Sequence, residues 1–164
     1  MRKLPPSRSC FVCGESNPIG LKLELETNGR MTRAVFVPRA EHIGFKQTVH
    51  GGILSTLLDE MMAWACAVQA KRFAFCAELQ VRFLQPVRPG EEITALGELV
   101  TNRRGKLFEA KAELRNQQGT LLASAIGKYL PVKEVDVAEM AGDFSGDPKW
   151  VFQIANEDQS SAGA

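Results

Sequence analysis

Two adjacent carboxylates lie in the middle of the one long helix that the sequence predicts. The helix begins after Gly51-Gly52 and extends to about Gln69, because apolar residues recur at spacings of three and four. Its apolar half comprises Ile53, Leu54, Leu57, Leu58, Met61 and Trp64. Its other half is small or polar and comprises Gly52, Ser55, Thr56, Asp59, Glu60, Ala63, Cys66 and Ala67.

The small residues around Asp59 distinguish this helix face from an ordinary solvent-exposed one, which usually carries lysine, arginine, glutamate and glutamine. They favour close approach by another subunit or by a ligand. A carboxylate held in such a contact would suit a general base. The alternative is that Asp59 and Glu60 are an ordinary solvated pair, and the pattern favours neither interpretation.

The start of the same helix offers backbone hydrogen-bond donors. Gly51 and Gly52 follow His50 at the point where the first N–H groups of the helix are free, and the helix dipole favours negative charge there. Glycines leave room for an approaching carbonyl group, so this turn could form an oxyanion site. The alternative is that the two glycines only make a tight turn into a buried helix.

The sequence lacks the motifs that are typical of several other catalytic chemistries. The sequence has no G-x-S-x-G, no H-E-x-x-H and no glycine-rich phosphate loop, and its two histidines are too few for a typical catalytic zinc site. Cys10 and Cys13 have the spacing of half a zinc knuckle but lack a second pair. Cys66 and Cys76 fall in a helix and a strand, where a buried apolar role is expected. We therefore expect no metal, no cofactor and no thioredoxin-like redox role.

Alternating patterns predict six strands around this helix. Residues 21–26 and 31–37 flank an Asn-Gly turn that favours a hairpin. Residues 77–83, 92–101, 108–115 and 121–130 follow the helix, and their short turns predict an antiparallel meander. The sequence thus predicts an α+β domain with one sheet and one helix packed against it, followed by a short helix near 135–141 and a loose tail at 156–164.

Length and charge narrow the class of protein. The 164 residues fit one domain, and a hydrophobic content of 45% is enough for a core. The net charge of +1 gives no field that would attract nucleic acid or an anionic membrane. We expect no membrane span, because no apolar run approaches about 20 residues. The basic start lacks an apolar segment after it, so a cytoplasmic location is the default expectation.

Several segments together resemble the hotdog-fold thioesterases of the phenylacetate-pathway (PaaI-like) type. They are Val49-His50-Gly51-Gly52-Ile53-Leu54, Leu57-Leu58-Asp59-Glu60, the strand motif at 77–91, and the Cys10-Phe11-Val12-Cys13-Gly14 and Asn17-Pro18-Ile19-Gly20-Leu21 segments. The resemblance implies a six-stranded antiparallel sheet wrapped around one long central helix. We expect a hotdog domain at 20–132, preceded by an N-terminal segment at 1–19 and followed by an extension at 133–164.

The resemblance also implies an activity and an assembly. It implies a homodimer, possibly paired into a tetramer, that hydrolyses an acyl-CoA thioester without a cofactor at the subunit interface. The N–H of Gly51 would hold the thioester carbonyl, His50 would support that loop, and Asp59 from the partner subunit would be the nucleophile or the base. Many relatives have serine or threonine where this chain has Cys76, and some have asparagine or glutamine where it has Gly44.

We therefore predict a thioesterase for a medium-chain or aromatic acyl-CoA, with catalytic Asp59, Gly51, His50 and Gly52. The predicted substrate-binding residues are Cys76, Glu60, Ser55 and Arg82, the last as a contact for phosphate. A non-catalytic acyl-CoA or fatty-acyl binding protein is the main alternative, and a hydratase is a further one.

Overall fold

The chain folds into one large antiparallel sheet that packs against a long helix. A computed structural model describes residues 1–152. The strands before the helix are β1 (Arg2–Lys3), β2 (Leu25–Thr27), β3 (Met31–Phe36), β4 (Ile43–Phe45) and β5 (Thr48–Val49). The remaining elements are α1 (Gly51–Ala70), β6 (Ala74–Phe83), β7 (Ile93–Asn102), β8 (Phe108–Asn116), β9 (Leu121–Pro131) and α2 (Glu134–Gly142).

The large sheet has seven strands in the order β1-β2-β3-β7-β8-β9-β6, and every pairing is antiparallel. The hotdog architecture of a sheet around one central helix is therefore confirmed. The sheet has one strand more than expected, because the two-residue β1 pairs with β2 at one edge. Strands β4 and β5 form a separate two-stranded hairpin just before α1.

The predicted meander is wrong for β6. This strand pairs with β9 at the free edge of the sheet, whereas β7 pairs with β3 on the far side. The proline-rich segment after β6 is therefore a crossover rather than a hairpin turn. Backbone hydrogen bonds anchor it, among them one from the N–H of Val49 to the carbonyl of Val87 at 2.8 Å and one from the N–H of Gly90 to the carbonyl of Pro38 at 2.8 Å.

Helix α1 packs very closely on the sheet at β7. The side chains of Leu57, Leu58, Met61 and Met62 are fully buried. A Cβ atom on Gly97 would lie 2.3 Å from the carbonyl oxygen of Met61, so no larger residue fits at that crossing. The Thr32 hydroxyl donates a 2.7 Å hydrogen bond to the same carbonyl. This packing fixes the height and rotation of α1, and with them the direction in which Asp59 points.

By length and composition alone, α1 is long and apolar enough to cross a membrane. In the fold it is the core helix, and ten of its residues are buried. Its alanines, cysteine and methionines add apolar character without a continuous run of large aliphatic residues. Length and composition alone therefore do not distinguish a core helix from a membrane span.

The residues beyond β9 cover one end of α1. The short helix expected near 135–141 is present as α2. Phe144 and Phe152 pack against Trp64 and Phe73, with 3.5 Å between the ring centroids of Phe73 and Phe152. The predicted tail at 156–164 lies outside the described residues, and the domain limits at 19/20 and 132/133 remain predictions.

Candidate active site

The carboxylate of Asp59 is held in place by a buried tyrosine. Asp59 is half-buried on α1, and the hydroxyl of Tyr129 on β9 donates a 2.7 Å hydrogen bond to its Oδ1 atom. The same hydroxyl lies 3.2 Å from the backbone carbonyl oxygen of Asp59. Burial and then the nearby charge of Asp59 raise the pKa of Tyr129, so the phenol stays protonated and acts as a donor.

Space for the Tyr129 ring comes from a glycine two residues earlier on the same strand. A Cβ atom on Gly127 would lie 2.8 Å from Cε2 of Tyr129 and 3.3 Å from Cε of Met62. The tyrosine side chain is completely buried. The ring is therefore locked between the sheet and α1, which gives its hydroxyl a fixed direction toward Asp59.

Cys76 is the third member of this group. It pairs with Tyr129 across β6 and β9, and it is exposed, contrary to the expectation of a buried apolar role. Burial of the sulfur and then the charge of Asp59 raise the pKa of the Cys76 thiol to about 11. It therefore remains a neutral thiol near pH 7. Cys66, by contrast, is buried as expected.

The start of α1 leaves one backbone donor free. The Nδ1 atom of His50 accepts the Gly52 N–H at 2.8 Å, and the carbonyl of His50 accepts the Ile53 N–H at 2.9 Å. Within residues 1–152 the Gly51 N–H donates to no protein acceptor. The helix start thus has its free donor at Gly51, whereas the N–H of Gly52 is used to cap the helix.

The loop before His50 is fixed from behind. The N–H of His50 donates to the carbonyl oxygen of His42 at 2.8 Å, and His42 itself is buried. A Cβ atom on Gly44 would lie 3.0 Å from the Cα atom of His50. Gly44 therefore packs directly against His50 at the helix start, and a side chain at position 44 would not fit there.

A cavity of about 310 Å³ opens beside Gly51. Leu54 lines it from the helix, and Phe83 and Leu84 line it from the end of β6. A Cβ atom on Gly51 would lie 3.1 Å from Cζ of Phe83, so the glycine keeps this opening clear. An apolar group could enter here and present a carbonyl oxygen to the Gly51 N–H.

One chain does not bring Gly51 and Asp59 together. Eight residues separate them on the same helix, which corresponds to about 12 Å along the axis. A thioester carbonyl held at one position cannot be attacked from the other. A site that uses both groups must therefore combine them from two chains.

The remaining predicted residues are Ser55, Arg82 and Glu60, and their recorded contacts are not with the Tyr129 hydroxyl. The hydroxyl of Ser55 donates to the Gly51 carbonyl at 2.8 Å, which is a contact within the helix. Arg82 is exposed on β6. Glu60 points away from Tyr129 and accepts a 2.9 Å hydrogen bond from Nε1 of Trp64. Burial, followed by the charge of Cys10, raises the pKa of Glu60 to about 8.

Sequence reasoning missed Tyr129. It is the only tyrosine of the chain and lies in a strand whose other inward-facing residues include alanines and a glycine. The one feature of the sequence that could have indicated Tyr129 as a site residue is its hydroxyl group among small neighbours. Its partner could not be identified, because the pairing of β9 with β6 and its distance from α1 are properties of the fold.

Residues 46–123 match the thioesterase superfamily. The Escherichia coli PaaI protein of the phenylacetic acid degradation operon is 24% identical, with 69% of this chain and 81% of that one aligned and a TM-score of 0.63. Another thioesterase superfamily protein is 26% identical, with 75% and 63% aligned and a TM-score of 0.69. A Streptococcus mutans protein bound to acetyl-CoA is 14% identical, with 67% and 88% aligned and a TM-score of 0.62.

No curated protein sequence matches the chain. The shared architecture identifies the fold as the hotdog fold. The resemblance of this chain to the PaaI-like proteins of the thioesterase superfamily is therefore confirmed.

Proposed function

We propose that the protein is an acyl-CoA thioesterase whose reacting carboxylate is Asp59. The observation that carries the proposal is the 2.7 Å hydrogen bond by which buried Tyr129 fixes the Asp59 carboxylate beside Cys76. A fixed carboxylate at a half-buried position can activate a water molecule or attack a carbonyl carbon itself. The match to the thioesterase superfamily makes a thioester the natural substrate class.

In the proposed reaction, the thioester carbonyl oxygen accepts a hydrogen bond from the Gly51 N–H. An oxygen atom, either of a water molecule that Asp59 activates or of Asp59 itself, attacks the carbonyl carbon. The developing negative charge on that oxygen is stabilised by the free N–H and by the helix dipole. The C–S bond then breaks, the acyl group leaves as a carboxylic acid, and the sulfur leaves as the CoA thiol after taking up a proton. Water supplies the oxygen and the protons, so no cofactor takes part.

The proposed active form is a homodimer. Leu79 and Phe83 pair with Gly127 and Ala123, so they share the helix-facing side of the sheet. They are nevertheless 37% and 54% exposed, so residues 1–152 leave much of these two side chains uncovered. A second copy would cover this apolar edge and would bring its own Asp59 toward the Gly51 N–H. A tetramer of paired dimers is a further possibility within this proposal.

The proposed acyl group is medium-chain or aromatic. A cavity of about 320 Å³ is lined by Trp64, Phe73, Phe144 and Phe152, together with Ala63 and Ala74. Ala63 lies one helical turn after Asp59, and Ala74 lies two residues before Cys76 on the same strand face. An apolar chain or ring could therefore extend from Asp59 into this cavity.

Two solved relatives support CoA as the carrier of the acyl group, since one is bound to acetyl-CoA and another to coenzyme A. Arg82, exposed on β6, is the proposed contact for the CoA phosphates. CoA thioesters are made and used inside cells, so a cytoplasmic location is part of the proposal.

Subunit complementation tests this division of labour. Gly51→Pro removes the proposed donor, since proline fits the first position of a helix and has no N–H, but it also adds bulk beside Phe83. Gly51→Ala keeps the N–H and is the matched control for the added bulk. We expect Gly51→Pro and Asp59→Asn each to abolish turnover. Random mixing of their subunits should restore about a quarter of the wild-type rate, because half of the dimers then contain one intact site of two.

No recovery in mixed dimers, despite subunit exchange shown by a tag on one variant, would contradict a shared site.

The proposed dimer interface has its own test. Leu79→Glu should convert the dimer to a monomer in analytical ultracentrifugation. Ile126→Glu is the matched control, because Ile126 is 60% exposed on the opposite sheet face of the neighbouring strand.

A non-catalytic acyl-CoA binding protein remains the second candidate, and Cys76 favours it. A thiol donates hydrogen bonds weakly, so Cys76 positions water less well than a hydroxyl would. In an enzyme, Cys76→Ser should raise kcat about 2- to 10-fold, the equivalent of one neutral hydrogen bond. Saturable binding of acyl-CoA with no turnover by wild type or Cys76→Ser would instead favour the binding protein.

A further inference from the structure

A second cluster of reactive side chains lies beside α1 at Glu60, the residue after Asp59. The sulfur atoms of Cys10 and Cys13 and a carboxylate oxygen of Glu60 all lie within 4.8 Å of one another. The two cysteines come from the N-terminal segment and Glu60 from the middle of α1. The fold thus completes the half knuckle of the sequence with a carboxylate rather than with a second cysteine pair.

The Cys10–Cys13 turn is built to hold its sulfur atoms in place. The Val12 N–H donates to Sγ of Cys10 at 3.2 Å, and the Gly14 N–H donates to the carbonyl of Cys10 at 2.9 Å. A Cβ atom on Gly14 would lie 2.3 Å from that carbonyl, so only glycine allows this tight turn. Backbone N–H groups directed at cysteine sulfur favour the thiolate, which is the form that binds metals.

The surroundings fix the remaining parts of the cluster. The carboxylate of Asp143 accepts hydrogen bonds from the hydroxyls of Ser7 and Ser9 and from the Ser9 N–H, which ties down the chain just before Cys10. The indole of Trp64 donates to Glu60 at 2.9 Å and orients its carboxylate. Metal ligands in proteins are oriented by supporting hydrogen bonds of this kind.

The cluster lacks a positive partner. Across residues 1–152, no lysine or arginine forms an ion pair with Glu60. The three groups are two thiols and one carboxylate, and all of them carry negative charge when ionised. Buried acidic groups are normally paired with a cation or a metal ion. A divalent cation would stabilise all three in their ionised forms.

We propose that Cys10, Cys13 and Glu60 bind one zinc ion that fastens the N-terminal segment to α1. Two thiolates and one carboxylate suit a thiophilic divalent cation, whereas magnesium and calcium prefer oxygen ligands alone. Three side chains leave the fourth tetrahedral position to water. The ion would lie at the wall of the aromatic-lined cavity, one residue away from Asp59 along the helix. This proposal replaces the expectation that the chain has no metal site.

The test is metal binding by the full chain, independent of any enzymatic activity. Protein treated with a chelator and kept reduced should take up one equivalent of zinc, as measured by elemental analysis after desalting. With cobalt it should develop a thiolate-to-metal charge-transfer absorption. We expect Cys13→Ser and the nearly isosteric Glu60→Gln to weaken zinc binding at least about tenfold. Cys76→Ser, which removes a cysteine outside the cluster, should leave it unchanged.

Two results would overturn the proposal. One is wild-type protein that retains less than a tenth of an equivalent of zinc after exposure to excess metal, including the case in which Cys10 and Cys13 form a disulfide instead. The other is zinc binding that is equally tight in Cys13→Ser and Glu60→Gln. Circular dichroism of each variant shows whether it is folded, and Glu60→Gln keeps the test informative if the cysteine variant is not.

Discussion

The hydrogen bond between Tyr129 and Asp59 makes a measurable contribution to folding if the hydroxyl is directed as described. Tyr129→Phe removes the hydroxyl but keeps the ring that packs beside Gly127 and Met62. The lost bond is 2.7 Å long and its acceptor is a carboxylate. Hydrogen bonds to charged groups are worth about 1.5–3 kcal/mol, so we expect the free energy of unfolding to fall by that amount.

A double-mutant cycle isolates the carboxylate part of this bond. The hydroxyl also lies 3.2 Å from the backbone carbonyl of Asp59, and that contact survives Asp59→Ala. Urea unfolding of Tyr129→Phe, Asp59→Ala and the double variant, at one protein concentration, gives the coupling energy directly. We expect about 1.5–3 kcal/mol of coupling and a melting temperature about 3–12 °C lower for Tyr129→Phe.

The control pair is Thr27→Val with Asp59→Ala. Thr27 is buried, and its hydroxyl donates a 2.7 Å bond to the carbonyl of Met31 in a hairpin remote from the site. These two changes should be additive within about 0.5 kcal/mol. A Tyr129–Asp59 coupling equally small would refute the reasoning, because the hydroxyl would then be bonded only to the backbone.

The other predictions concern packing and pH. Gly97→Ala should lower the free energy of unfolding by about 2–3 kcal/mol in urea titrations, because its Cβ would lie 2.3 Å from the carbonyl of Met61. Gly142→Ala, with nothing within 4 Å of its Cβ, should change it by no more than about 1 kcal/mol. Burial and then Arg39 lower the pKa of His42 below its usual 6.5, so the unfolded chain takes up the proton first and stability is lost as pH falls through about 6.5. His42→Asn should flatten that loss in melting curves between about pH 7 and pH 5; an unchanged slope would contradict it.

Local patterns in the sequence were sufficient for most of the fold. The spacing of apolar residues predicted α1 to within two residues at its start and one at its end, and the Asn-Gly turn predicted the β2–β3 hairpin. The place of β6 could not be predicted in this way. Its alternation resembles that of its neighbours, and only the strand pairings, β6 with β9 and β7 with β3, show that the following segment crosses over rather than turning back.

The sequence indicates only those parts of the candidate site that are close together along the chain. The helix start and Asp59 lie within one element, so residue spacing alone indicates both as candidate site positions. Tyr129 lies 70 residues after Asp59, and the bond between them depends on how β9 packs against α1. Glu60 was grouped with Asp59 because the two are adjacent, yet consecutive residues of a helix point about 100° apart. The structure brings Glu60 to Cys10 and Cys13 instead.

The most direct test of the proposed function is hydrolysis of a panel of acyl-CoA thioesters by wild type and Asp59→Asn. The loss of thioester absorbance or direct product analysis is the suitable readout, because the four cysteines would react with a thiol dye. We expect turnover that favours medium-chain or aromatic acyl groups in the wild type and is abolished in a folded, dimeric Asp59→Asn. Equal turnover in both, or none in a folded dimeric wild type with any acyl chain, would contradict the assignment of Asp59 as the reacting carboxylate of a thioesterase.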